Sequence, residues 1–186
     1  DVVQIEHNPQ VHSLRYLPDT VTGCQWDSSN HGCKGRTIYY RPPFFLSSIL
    51  WYQISSSPWA FHLGNIIYFF GIVSLIFFVV KALTRNFWLS FFSSLLFLIH
   101  PVNTEVVNWA AAGPELTLTI FVLLTTLFFI RYRQQGGKKN LLFVYIFFFL
   151  ALLSKETGIV LPLVLAAMDI LLFQRTFRML LGKNQL

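Results

Sequence analysis

Charge is what this sequence lacks most. Only 12% of its 186 residues are charged, where a soluble globular domain carries about a quarter, so the chain has too little polar surface to be soluble alone. Acidic residues are the scarcest, eight against fourteen Lys and Arg. With two cysteines it is no disulfide-dense scaffold, and it has no glycine-rich phosphate loop, Ser-His-Asp arrangement or Asn-x-Ser/Thr sequon. A net charge of +6 would suggest nucleic acid in a soluble protein. Here the excess sits in short segments beside apolar runs, where it orients helices, and nucleic acid is excluded as a partner.

What is abundant is apolar: 54% of residues are hydrophobic, 20 of them Phe. Apolar runs occupy 61–80, 87–99, 116–130, 141–153 and 157–173. A crossing takes about 20 residues at 1.5 Å each, and three of the runs approach that length, alone or with their flanks. Basic residues cluster at every second break, in 81–85, 131–139 and 175–183, which hold nine of the fourteen Lys and Arg. Asp169 lies in the final run, and the other acidic residues fall towards the opposite side. That asymmetry is the positive-inside pattern. It predicts an all-α polytopic membrane protein with about five transmembrane helices, its C-terminus cytoplasmic and residues 1–60 extracytoplasmic, ahead of a helical core over 61–186.

The two shorter runs, 87–99 and 141–153, stop at His100-Pro101 and Ser154-Lys155-Glu156. Ionisable residues at such depth usually face a bundle interior or wet cavity, which suggests a polar site sunk into the outer half of the membrane. The alternative leaves them in the headgroups. Within 1–60, Arg41-Pro42-Pro43-Phe44-Phe45 through Trp51-Tyr52 reads as an interfacial helix, with proline suited to its first turn and Phe44, Phe45, Ile49, Trp51 and Tyr52 forming an aromatic surface at headgroup level. Cys24 and Cys33 share an oxidising location, which favours a local disulfide. With His31 between them their spacing matches no common zinc pattern. An external segment that opens at Asp1 without a preceding helix suggests a chain beginning inside a larger protein.

Four ordered blocks carry a resemblance: Tyr40-Arg41-Pro42 with Leu46-Ser47; Pro58 with Phe61-His62-Leu63 and Asn65; Leu96-Phe97 with His100-Pro101-Val102-Asn103-Thr104-Glu105 and Val107; and Leu152-Leu153-Ser154-Lys155-Glu156-Thr157-Gly158-Ile159-Val160-Leu161-Pro162. Together these resemble the transmembrane O-mannosyltransferase family with tetratricopeptide repeats and its bacterial relatives, within the C-type glycosyltransferase superfamily. The start Asp1-Val2-Val3, with Ile5 and Asn8-Pro9, resembles that family's first outer loop, Asp1 being the second of its acidic pair.

The resemblance implies a helical core that moves a sugar, a mannose-like hexose, from a polyprenyl-phosphate carrier to a protein acceptor at the extracytoplasmic face. The membrane would be a bacterial plasma membrane or an endoplasmic reticulum, and membrane lipid surrounds the core. Asp1 is then the base, since the acceptor hydroxyl must lose its proton as it attacks. The departing phosphate needs cationic support. Arg41 reads as a bidentate phosphate grip or as a snorkelling anchor. His100 and Glu105 could touch the carrier or a divalent metal, and His100 could equally cap its helix. Lys155 and Glu156 read as an internal ion pair bracing the cavity floor in preference to direct phosphate contact; His62 and Asn65 read as packing on neighbouring helices.

There are departures. Where family members commonly carry Arg, two positions before Glu115, this chain has Gly113. No repeat of about 34 residues occurs. These departures keep a second reading open, a degenerate relative acting as a structural subunit of a larger membrane complex. Transporters would show broken helices and inverted repeats, and His100 lacks the paired histidine that haem or chlorophyll would need.

Overall fold

The computed structural model describes residues 11–18, 40–109 and 112–173, and among them every regular element is helical. Asp1, Cys24 and Cys33 lie outside the described residues. The helices are α1 (Pro42–Ile54), α2 (Pro58–Thr84), α3 (Phe87–Ile99), α4 (Asn103–Asn108), α5 (Gly113–Gln135), α6 (Lys138–Ser154) and α7 (Leu161–Met168). A 3-10 turn over Glu156–Val160 leads into α7, and a π turn over Asp169–Phe173 ends it. Three segments are long and apolar enough to span a membrane: α2, α5 and the continuous stretch Glu156–Phe173. At about 1.5 Å per residue, α3 and α6 are shorter than a full hydrocarbon core, which accords with polar chain ends dipping below one surface.

Local chemistry sets the boundaries. Pro58 and Pro114 stand in the first turns of α2 and α5, where a missing N–H costs nothing. Arg85 stops α2 in the left-handed conformation (φ 57°), and the Asn86 carboxamide caps α3 by accepting the Leu89 N–H at 3.1 Å. Gly136 and Gly137, both at positive φ, turn the chain between α5 and α6, a conformation that costs glycine nothing. Gln134 donates to the Ala82 carbonyl at 2.7 Å, which ties this turn to the end of α2.

The bundle is ordered α3, α2, α5, α6, with α7 against α5 and α1 lying across α2, α5 and α6. Its interior mixes apolar side chains such as Phe61, Phe69, Ile72 and Ile130 with small polar ones. Ser90 and Ser94 are the buried residues of α3, while Trp88, Phe92, Leu96 and Ile99 point outward. Thr117, Thr125 and Thr126 do the same on α5, their hydroxyls returned to carbonyls of their own helix. Small residues let helix backbones approach where lipid removes the hydrophobic drive to associate. Asp169, the one acid in an apolar run, pairs with Arg133, whose guanidinium also lies 5.7 Å from the Phe173 ring.

The amphipathic sense of α1 differs from the sequence-based expectation. Phe44, Phe45 and Ile49 are buried against the bundle, and the outward stripe is Leu46, Leu50 and Ile54. Two glycines explain this. A Cβ at Gly64 would stand 2.7 Å from the Trp51 indole, and one at Gly113 would stand 2.6 Å from the Phe44 ring. Each glycine is thus a socket for a ring of α1. The Trp51 Nε1–H donates to the Tyr68 hydroxyl at 3.2 Å. Residues 11–18 fold back over the same helix, with Val11 buried beside Phe44 and Phe45 and the His12 imidazole stacked on Tyr52 at 4.4 Å.

The predicted orientation is open to a direct check. Ser56 precedes α2 and Gln135 ends α5, and both are exposed. With the native thiols replaced, cysteines at these positions are expected to label from opposite sides of sealed vesicles. Labelling from one side would overturn the alternation.

Candidate functional site

At the α1 end of the bundle the chain gathers four charged side chains from three places. Arg41 immediately precedes α1, Glu115 lies in the first turn of α5, and Lys155-Glu156 link α6 to the 3-10 turn. The Arg41 Nη2 donates to both oxygens of Glu156, at 3.2 and 3.4 Å. The Lys155 ammonium is hydrogen-bonded to a Glu115 carboxylate oxygen. Lys155 and Glu156 therefore do not brace one another as the sequence suggested; each reaches a different helix. The cause is the extended backbone at Lys155 (φ −160°, ψ 147°), which sends successive side chains to opposite sides.

Local sequence holds this link in place. Gly158 packs so closely on the preceding helix that an added Cβ would lie 3.1 Å from the Ala151 backbone. The turn carrying Glu156 therefore packs directly on the end of α6. The Arg41 side chain is 18% exposed and Glu156 63% exposed. Such an ion pair contributes about 1 kcal/mol at most to stability, so folding alone gives little reason to put these charges here. Glu115 was missed as a site residue. Its only signal was an acid in the first turn of a helix opened by proline, which also suits the helix dipole.

His100 and Glu105 belong elsewhere. They lie on the α3–α4 side of α2, whereas the charged cluster lies on the α5–α6 side. The His100 Nδ1 accepts the Val102 N–H at 3.2 Å. His100 thus caps the chain turn. It also lines a cleft of about 240 Å³ with Ile66, Phe69, Asn103, Thr104 and Asn108. Glu105 is exposed on α4 and is not among the residues lining it. The buried Asn65 side chain donates to the Val107 and Trp109 carbonyls at 3.4 and 2.9 Å, so it packs on the neighbouring α4 and fastens the connection after it. Among the described residues no three of His, Cys, Asp or Glu come together as a metal site would need.

Apolar spans with small-residue contacts, and ion pairs where a short helix crosses their ends, define an integral membrane protein of the polytopic helical class. The chain belongs to the dolichyl-phosphate-mannose-protein mannosyltransferase family, whose model matches residues 42–185. It is 37% identical over 102 residues to the human protein O-mannosyl-transferase TMTC3, covering 54% of this chain and 11% of that protein. Against mouse protein O-mannosyl-transferase TMTC2 it is 28% identical over 145 residues, 73% of this chain and 17% of the relative. A Caenorhabditis elegans protein O-mannosyl-transferase is 29% identical over 164 residues, 86% of this chain and 23% of the relative. The chain therefore spans less than a quarter of the length of these relatives. No solved structure matches it.

Proposed function

We propose that the full-length protein is an inverting glycosyltransferase that moves mannose from a dolichyl-phosphate carrier to a hydroxyl of a protein acceptor, at the lumenal face of the endoplasmic reticulum. The family's name and the animal relatives support the sugar, carrier and membrane. One observation carries the reading for this chain. Arg41, at the mouth of α1, is seated by the helix sockets beside Lys155, Glu115 and Glu156, where the α5, α6 and α7 segments meet.

In the proposed reaction the acceptor oxygen attacks the anomeric carbon and passes its proton to the Asp1 carboxylate. The bond from that carbon to the phosphate oxygen breaks, and its electron pair stays on the departing dolichyl phosphate. A single displacement needs one base and inverts the anomeric centre. Arg41 grips the phosphate through its planar fork, while Lys155, paired with Glu115, fastens to α5 the link that carries Glu156. His100 and Glu105 stand apart from these charges, and in this reading His100 contributes to substrate contacts at the α3–α4 cleft rather than to phosphate charge. With both cluster carboxylates already engaged, the scheme needs no resident metal.

Arg41→Ala in the full-length protein tests the assignment. A hydrogen bond to a charged group is worth about 1.5–3 kcal/mol, so carrier binding is expected to weaken roughly 10- to 100-fold, at 1.4 kcal/mol per decade. Thermal stability should fall little, because Glu156 is largely exposed and such a pair is worth about 1 kcal/mol at most. Unchanged carrier affinity would remove the assignment. A structural-subunit reading draws on Gly113, where the Phe44 ring fills the space an Arg side chain would need. That reading expects wild-type protein to transfer no sugar and large-to-small changes on the Phe-rich helices to release it from its partners.

A further inference from the structure

We infer that Glu156 is a counter-charge that discriminates loaded from spent carrier and so drives release of the product. The inference rests on the phosphate-site reading above and gives Glu156 a role of its own. The carboxylate already occupies the guanidinium edge that a phosphate would use, with both oxygens on the Arg41 Nη2 at 3.2 and 3.4 Å. Of the two partners, Arg41 is the held one. Its side chain is 18% exposed and its carbonyl accepts the Phe44 and Phe45 N–H groups of the seated helix. Glu156 is 63% exposed and is the side chain able to swing aside. Its backbone lies in a turn that packs on α6, with Gly158 against Ala151.

Charge then separates the two ligands. Among the described residues Arg41 and Lys155 are paired here with Glu156 and Glu115. A loaded carrier is a phosphodiester with one negative charge, so it replaces the carboxylate one for one. The spent carrier is a phosphomonoester, whose charge near neutrality is about −1.5 to −2. Its extra charge meets Glu156 nearby, with Lys155 already committed to Glu115. Glu156 therefore opposes the product more than the donor. Solvent at this exposed position screens the effect to a modest factor.

The experiment uses full-length protein and the variant Glu156→Gln, which keeps shape and a hydrogen-bonding carbonyl but carries no charge. Affinities are measured for short-chain polyprenyl phosphate and for the same lipid carrying mannose on the phosphate. The variant is expected to bind the spent lipid about fivefold tighter, the scale of one exposed charge interaction, with the loaded lipid changed far less. Product inhibition should deepen in parallel. Equal tightening for both lipids would make Glu156 a simple competitor and overturn the discrimination. If neither affinity changes while Arg41→Ala weakens both, the inference fails and the phosphate site stands. If Arg41→Ala also changes neither, the phosphate site itself is lost. A melting temperature close to wild type is the control that the variant is folded, and Glu156→Asp, which retains the charge, should keep the wild-type preference.

Discussion

Asp1→Asn in the full-length protein is expected to reduce sugar transfer by about 10²- to 10⁴-fold, the range of general-base contributions, while carrier affinity stays near wild type. The amide keeps the size of the carboxylate and can still accept a hydrogen bond, but it cannot take up the acceptor's proton. Phosphate binding is assigned to a different residue, so the two steps separate. Arg41→Ala lowers affinity for the carrier, and Asp1→Asn lowers turnover at saturating carrier. Single-turnover transfer from a radiolabelled lipid-linked mannose measures both in one preparation. Unaltered turnover in Asp1→Asn would withdraw the base. No transfer by the wild type with a range of lipid-linked sugars would move the balance to the structural subunit.

Gly64→Val is expected to unseat α1. The substituted carbon would stand 2.7 Å from two atoms of the Trp51 ring, which is hydrogen-bonded to Tyr68 and cannot easily turn away. Two effects oppose one another. Replacing glycine inside a helix gains up to about 1 kcal/mol of propensity, and less for a β-branched residue. Overpacking costs about 1–3 kcal/mol, so the clash wins. Gly113→Val repeats the test beneath Phe44, where the Cβ would come within 2.6 Å. Both variants should lower the melting temperature in detergent and break a disulfide cross-link engineered between α1 and α2. By displacing Arg41 they should also cost carrier affinity without touching a charged residue. Gly71, at which a Cβ meets nothing within 4 Å, provides the control: Gly71→Ala is expected to be neutral or stabilising.

Much of the architecture could be read along the chain. The run 87–99 is the helix α3 to the residue, and the interfacial stretch after Arg41 is the helix Pro42–Ile54. Other runs underestimated their helices. The run 61–80 grew to Pro58–Thr84, and 116–130 to Gly113–Gln135. Helical hydrogen bonding continues through polar flanks, and the Lys81 ammonium lies 5.5 and 5.9 Å from the Phe77 and Phe87 rings at the end of α2. Arg41, Lys155 and Glu156 were legible as a group of interest because charge is so rare here and because the resemblance fell on them.

The sequence by itself determined the membrane-spanning helical class, the family blocks and where the helices lie along the chain. Hydropathy, caps and turn residues act over a few neighbouring positions, so they survive in a linear reading. Only the tertiary structure decided which charge meets which. The partners Arg41 and Glu156 are 115 residues apart, and Lys155 and Glu115 are 40 apart. Nothing local marks such pairs. They depend on α1 crossing α5 and α6, on rings entering glycine sockets, and on one extended residue that turns Lys155 and Glu156 away from each other. The same packing separated His100 and Glu105 from the cluster and brought in Glu115, because in a bundle the neighbour across a helix interface is set by which small faces fit together.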